Sequence, residues 1–362
     1  MSHDKSLDKW DNTARSSVVI QKTSGMPFYR LSKLQSLYNI PVARSTLWEQ
    51  CLGLWNDCGF DIYKHLLSVA SNCNVFYLDD TGATILEVMQ EHKLLAEKDR
   101  RHCHTTGIVT ETRENNKLIL YITDNKYCGE NFARLIDART YKDHYFKIVS
   151  DASNQNIPRV EKELLQKILI ANCLTHGRHK FEDLKDYYPE ECGYFLNEIA
   201  AIYKVEKACR NYCERKKLRC HKANSSIHIK NIYTRIRYLF KEKLVEPNSD
   251  LGKAMKYWLN HKKKLSMFLT VKGIDLDTNR VERALKSMIL QRKNSLFFKT
   301  RKSAEVNSGL HSIVATCEAN KVNAFAYLNW IQSNWQKIQK NPEGFMPWDY
   351  VEYMNSTELI AA

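Results

Sequence analysis

Apolar and polar positions change period several times along this chain. From Pro27 to Tyr38, Leu31, Leu34, Leu37 and Tyr38 fall on one face at helical spacing. After the break Asn39-Ile40-Pro41-Val42, a second helix is predicted from about Ser45, carrying Leu47, Trp48, Cys51 and Leu54. Helix, short turn, helix is the outline of a DNA-binding helix-turn-helix and of any helical hairpin; on pattern alone the plain hairpin is the better reading. Residues 1–20 are polar and read as loose. A different pattern follows. Val75-Phe76-Tyr77-Leu78 is a short apolar run ending in Asp79-Asp80, and Gly107-Ile108-Val109 and Leu118–Ile122 read as further strands. The second of these follows the turn-prone Glu114-Asn115-Asn116. Glu130–Arg139 reads as a helix and Tyr145–Val149 as a strand ending at Ser150-Asp151. The pattern predicts a mixed α/β core.

From Pro158 to Leu269 almost everything is helix-like, with Pro158 suited to a first helical turn and breaks at Pro189 and Pro247-Asn248-Ser249. In Thr278–Leu290, residues Val281, Ala284, Leu285, Met288 and Ile289 form a helical stripe. Two more helices are expected near 304–319 and 324–339. There is no repeat and no low-complexity tract.

Apolar residues make up 43% of the 362, enough for a buried core. The formal charge of +14 favours an anionic partner, although an ordinary basic enzyme fits that number equally well. Its distribution says more. Lys207–Lys243 holds twelve Lys/Arg against two acidic residues, and Arg283–Lys302 holds seven basic residues and no acid. Solvated helices usually mix signs, so these stretches resemble a phosphate-binding footprint. Candidate contacts are Arg215, Lys216 and Lys217 in the first stretch and Arg283, Arg292 and Lys293 in the second. The start lacks the apolar core of a signal peptide, no apolar run suits a membrane span, and eleven cysteines without regular pairing suit a reducing compartment. The expectation is a cytoplasmic, nucleoid-associated protein with no membrane partner. Walker-type phosphate loops and serine nucleophile elbows are absent from the sequence.

Asp79 and Asp151 sit just past predicted strands, where sites form in α/β folds, but strand-end Asp residues also merely cap turns. Glu282 lies at the border of its helix's apolar stripe; taken alone, it fits a surface Glu paired with Lys286 better than a ligand. The combination is nevertheless the one that phosphodiester cleavage by two divalent cations wants: hard oxygen donors converging from strands and a helix.

Six ordered motifs sharpen this. Leu78-Asp79-Asp80-Thr81-Gly82; Ser150-Asp151-Ala152 with Asn156-Ile157-Pro158; Cys173-Leu174-Thr175-His176-Gly177-Arg178-His179-Lys180-Phe181; Glu246-Pro247-Asn248-Ser249; Leu276–Arg283; and Arg292-Lys293-Asn294-Ser295-Leu296-Phe297 together resemble transposases of the insertion sequence 66 family, from about Ser17 to Tyr353. The resemblance implies a ribonuclease-H-like mixed sheet core interrupted by a large all-helical insertion, with an N-terminal helical, helix-turn-helix-like segment. The expected division is 1–70 DNA-binding-like, 71–157 first part of the core, 158–270 insertion, 271–341 second part of the core, and 342–362 tail. It also implies a DDE enzyme dependent on Mg²⁺ (Mn²⁺ substituting), with Asp79, Asp151 and Glu282 as catalytic, metal-holding residues, that cleaves transposon ends and transfers strands into target DNA. Homodimers or higher oligomers on DNA and small accessory proteins of the same element are the implied partners. His176, Arg178 and Lys180 lie in the third motif as candidate DNA contacts; for His176 an ordinary structural role is an equal alternative. There are departures: Thr278 and His179 replace the family's usual residues, and typical members carry an additional N-terminal helical and Cys-rich segment. The alternative function is therefore a shortened, catalytically idle DNA-binding protein.

Cys209, Cys213, Cys220 and His221 match no standard zinc-finger spacing and read as helix packing. His102-Cys103-His104 points adjacent side chains apart on a strand, so joint ligation is not expected.

Overall fold

The computed structural model describes residues 11–94, 102–140 and 144–361. Contacts divide the chain into two compact units, one of residues 1–144, 157–161 and 280–362, the other of residues 145–156 and 162–279. Elements are numbered in chain order.

An antiparallel meander forms the centre of the first unit: β1 (Val75–Ala83), β2 (Cys103–Glu111) and β3 (Lys117–Asp124). The β2–β3 turn places Asn115 at φ 67°, a left-handed conformation that Asn tolerates well. Side chains alternate along a strand, so β1 turns Phe76, Leu78 and Asp80 to one face and Tyr77, Asp79 and Thr81 to the other. Before the sheet come α1 (Asn12–Thr23), α2 (Phe28–Leu37), α3 (Arg44–Leu54), a π-helical turn (Trp55–Gly59) and α4 (Phe60–Ser71). Helix α5 (Leu86–Leu94) follows β1, and α6 (Cys128–Asp137) follows β3. Phe132 of α6 packs edge-on against Phe76, 4.9 Å between centroids.

After the second unit the chain returns with α14 (Asn279–Ser295), α15 (Arg301–Ala319), α16 (Ala324–Ser333), α17 (Trp335–Lys340) and α18 (Pro347–Ala361). Helix α15 lies along β3. Ser312 Oγ and Thr316 Oγ1 accept from the amides of Tyr121 and Ile119 (2.8 and 3.2 Å), and Asn320 Oδ1 accepts from that of Lys117 (2.9 Å). Thr123 and Ser308 hydroxyls meet at 2.7 Å. Positions 308, 312, 316 and 320 recur every four residues, on one helical face, and the last three satisfy backbone groups of β3 that would otherwise invite a further strand.

Three sequence expectations for this unit change. Residues 12–20 are helical, not loose, while residues 1–10 of that stretch lie outside the described residues: Val18 and Val19 are buried, and Ser16 Oγ donates to Asn329 Oδ1 of α16 (2.9 Å). The partners stand more than 300 residues away, outside any local pattern. In α2 only Leu31 of the predicted stripe is buried, while Leu37 and Tyr38 are exposed. The expected C-terminal tail also carries a helix, α18.

The second unit has parallel β4 (Phe146–Ser150) and β5 (Ile168–Asn172), with Ser150 opposite Asn172. Around them are α7 (Lys162–Gln166), α8 (Leu174–Glu182), α9 (Pro189–Ala208), α10 (Glu214–Asn224), α11 (Ser226–Lys241), α12 (Asp250–Asn260) and α13 (Lys262–Leu265). Phe181 and Phe195 stack at 4.4 Å, and Trp258 packs beside them. Strand β5 corrects the all-helical reading of 158–269. Ile-Leu-Ile-Ala-Asn is an apolar run too short for its period to separate strand from helix. Pro158 lies outside any helix, whereas Pro189 opens α9. The five strands are thus of mixed orientation, antiparallel in one unit and parallel in the other, within a mainly helical chain. Among the described residues no helix is long and apolar enough to cross a membrane.

Candidate catalytic carboxylates and their surroundings

Asp79 lies within β1, not beyond its end, because the strand continues to Ala83. Its neighbour Asp80 points to the opposite face and is committed there. Asp80 Oδ1 accepts from Thr106 Oγ1 (2.7 Å) and Oδ2 from the backbone amide of Cys128 (2.8 Å), the first residue of α6. A carboxylate at a helix N-terminus satisfies an orphan donor and opposes the helix dipole. Asn131 Nδ2 joins by donating to Thr106 Oγ1 (3.0 Å). Asp80 is thus a structural cap.

Asp79 stands opposite Gly107 in the β1–β2 register, so both project to the same face. That glycine makes room for a helix: a Cβ there would come within 2.8 Å of Leu285 Cγ and 3.1 Å of Val281 Cγ2, both on α14. Tyr121 Oη donates to the Ala284 carbonyl (2.6 Å), and the Arg280 guanidinium lies 5.2 Å from the Tyr77 ring centre. Helix α14 therefore covers the face bearing Asp79, and Glu282, next to Val281, rides on it. At its far end Arg292 donates to Thr81 Oγ1 (3.1 Å) and the Gly82 carbonyl (2.7 Å), pinning α14 to the end of β1. Arg283 and Lys293 are exposed.

In the second unit Asp151 directly follows β4, as the pattern predicts. Its Oδ1 accepts from the Ser153 amide (2.9 Å) and from Asn156 Nδ2, which orients the carboxylate and gives the Asn156 of the family motif a role. Strand β5 ends at the same edge and passes through Cys173 into α8, which carries His176, Arg178 and Lys180. The Leu174 amide donates to the Leu276 carbonyl (2.8 Å), so the Leu276-Asp277-Thr278 motif is tied to the start of α8. Asp277 Oδ1 accepts from the Asn279 amide (3.1 Å) where α14 begins. The motif Glu246-Pro247-Asn248-Ser249 is a helix start: Ser249 Oγ accepts from the Gly252 amide (3.0 Å) at the head of α12. That helix brings Trp258, whose Nε1 donates to the Gly177 carbonyl (3.0 Å). It also brings Tyr257, whose phenol lies under Lys180 (5.6 Å to the ring centre); burial first, then the charges of Asp151 and Cys173, push that phenol's pKa up. Sequence reasoning does not single out Tyr257, since no spacing links it to Asp151.

The basic residues divide. Arg178 pairs with Glu182 (2.7 Å). Lys217 is held by Glu206 and Asp275 (2.5 and 3.3 Å). Arg215 and Lys216 of α10 are exposed, Lys216 resting 3.9 Å from the Tyr212 ring centre.

Known proteins resemble this chain to different degrees. The family model described as "Transposase IS66 family" matches residues 10–306. Two uncharacterized proteins of Sinorhizobium fredii, y4jD and y4qI, are 29% identical over 160 residues and 25% identical over 193. These matches cover 44% and 51% of this chain but 31% and 34% of the relatives, so the chain spans about a third of the length of the curated relatives it matches. The Drosophila P element transposase strand transfer complex aligns over 88% of this chain and 93% of that chain, at 11% identity and a TM-score of 0.40, a likeness too slight to bear on fold or function. The ordered motifs lie along the stretch that the family model matches, and the chain belongs to the transposase IS66 family.

Proposed function

We propose that this chain is the catalytic part of a DDE transposase with a ribonuclease-H-like core, in which Asp79, Asp151 and Glu282 act as one set. The observation that carries the reading is the contrast between Asp79 and Asp80. Asp80 is consumed as a cap, while Asp79 faces the helix bearing Glu282. The three carboxylates offer hard oxygen donors, which suit Mg²⁺ or Mn²⁺ better than softer metals. Divalent cations bound there would lower the pKa of an attacking water and offset charge on the leaving oxygen. Asp79 and Glu282 hold their carboxylates on one face of the antiparallel sheet. Asp151 is oriented by Ser153 and Asn156. His176, Arg178 and Lys180 of α8, with Arg215, Lys216, Arg283 and Lys293, hold DNA phosphates. Cleavage frees a 3′-OH at the element's end, which then attacks target DNA. Joining two ends calls for a dimer or higher oligomer, with accessory proteins of the element as further partners, and places the work on the nucleoid in the cytoplasm.

The test is cleavage of DNA bearing the inverted repeats that flank the gene. Asp79→Asn, Asp151→Asn and Glu282→Gln should each reduce Mg²⁺-dependent cleavage by about 10³-fold or more, the scale expected when transition-state electrostatics are removed. Full activity in any of the three would remove that residue from the set. DNA binding without cleavage by the unaltered chain, in both Mg²⁺ and Mn²⁺, would favour an idle DNA-binding protein.

A further inference from the structure

A second cluster of metal-ligating side chains lies away from the catalytic carboxylates, where α9 meets α10. The last turn of α9 carries Glu206, and Cys209 caps that helix, so the two share a face at a spacing of three. Helix α10 packs against α9 and brings His221. His221 Nε2 lies 2.8 Å from Glu206 Oε2 and 3.7 Å from Cys209 Sγ, and the three donor atoms all lie within 4.8 Å of one another. Cys209 is fully buried and His221 is 2% exposed.

An ordinary His–Glu pair has no need of a buried thiol aimed at the same ring nitrogen. A tetrahedral zinc ion does. With Zn–S near 2.3 Å and Zn–N near 2.0 Å, its S···N separation is about 3.5 Å, close to the 3.7 Å seen here. The 2.8 Å His–Glu contact is a hydrogen bond and would open by roughly half an ångström as the metal replaces the shared proton. The other ring nitrogen, Nδ1, is 2.9 Å from Ser225 Oγ, the kind of outer contact that fixes a ligand imidazole with Nε2 turned to the metal. Lys217 holds the second oxygen of Glu206 (2.5 Å to Oε1), which leaves Oε2 directed at His221. Cys220, half-buried, immediately precedes His221 on α10, outside the three donors that already lie within 4.8 Å of one another.

We propose that Glu206, Cys209 and His221 form a structural zinc site, with Cys220 supplying the fourth donor, that staples the end of α9 to α10. Zinc entry displaces protons from the two thiols and from the His–Glu pair; no electron transfer is involved. The set escapes the cysteine spacings of zinc fingers because one ligand is a glutamate and the others come from two helices packed side by side.

The full chain, purified with Zn²⁺ under reducing conditions and dialysed against metal-free buffer, should retain one zinc per chain by elemental analysis. Co²⁺ in its place should give near-ultraviolet thiolate-to-metal absorption. Cys209→Ser and His221→Gln should lower bound metal about tenfold or more and abolish that band, as expected when a ligand of a closed site is lost. Cys213→Ser, at an exposed position outside the set, should keep both. Glu282→Gln should also keep the band, which separates this site from the catalytic carboxylates. Unaltered, folded chain with substoichiometric zinc and no cobalt band overturns the proposal and leaves a hydrogen-bonded His–Glu pair. Circular dichroism of each variant identifies loss of metal that follows from unfolding; if Cys209→Ser unfolds, the stoichiometry and cobalt spectrum of the unaltered chain still decide.

Discussion

Strand geometry sends the adjacent acids Asp79 and Asp80 to opposite faces, and only Asp80 meets Thr106 and the start of α6 there. Replacing Asp80 by Ala removes the acceptor for the Cys128 amide and the Thr106 hydroxyl, and should destabilise the chain by about 1–2 kcal/mol, read as a lower urea midpoint. Asp79→Asn should leave that midpoint nearly unchanged while removing cleavage. Equal loss of stability in both variants would contradict the division of labour. His311 is a second instance of position deciding chemistry. It is fully enclosed in α15, its Nε2 2.6 Å from Gln291 Oε1, and burial, helped by the nearby Lys22 charge, pulls its pKa down to about 3. The folded chain therefore holds fewer protons than the unfolded chain between about pH 6.5 and 3, and this group's contribution to stability falls as pH falls through that window. At pH 5 the loss is on the order of 2 kcal/mol. In His311→Gln that part of the pH dependence should vanish, which denaturation at pH 7 and pH 5 measures directly.

Between elements, glycine sets how closely a helix can lie on the sheet. A methyl group at Gly107 would meet the branched end of Leu285 at 2.8 Å. Gly107→Ala should cost about 1–3 kcal/mol, the range for overpacking a filled core. By lifting α14 it should also reduce cleavage beyond the loss of folded protein. Stability lost with activity per folded molecule retained would mean that Glu282 does not depend on this seat. The α14 stripe of Val281, Leu285 and Met288 was legible from helical period, and all three are buried. How closely that helix approaches the face bearing Asp79 was not, because it depends on a missing side chain in another strand.

For the molecule as a whole, charge is the property that composition carries most directly. Arg215 and Lys216 project from α10 into solvent, whereas Lys217, next in sequence, is turned inward to Glu206 and Asp275. Replacing Arg215 and Lys216 together by Ala should weaken DNA binding across sequences. It should also flatten the slope of log K against log salt by about 2, one unit for each phosphate that is no longer neutralised. Lys217→Ala should instead act on stability, with the salt slope unchanged. The reverse pattern would place the DNA-binding residues elsewhere. Four of the family motifs divide in a similar way: Asp79, Asp151 and Glu282 offer carboxylates, while Asn156, Asp277 and Ser249 hold local backbone or side chains in place.

Local pattern was enough for what depends on neighbours in sequence. The short apolar runs of β2 and β3, the turn at Glu114-Asn115-Asn116, the stripe of α14, the clustering of charge and the order of the motifs are all properties of short windows, and the motifs carry the family. Tertiary structure decided what depends on distant partners. The helicity of residues 12–20 is secured by α16, the strand at 168–172 by pairing with β4, the role of Asp80 by α6, the seat of α14 by Gly107, and the Glu206–Cys209–His221 cluster by the packing of α10 on α9. In each case the deciding interaction joins residues whose separation in sequence has no fixed relation to their separation in space, so periodicity and spacing hold no record of it.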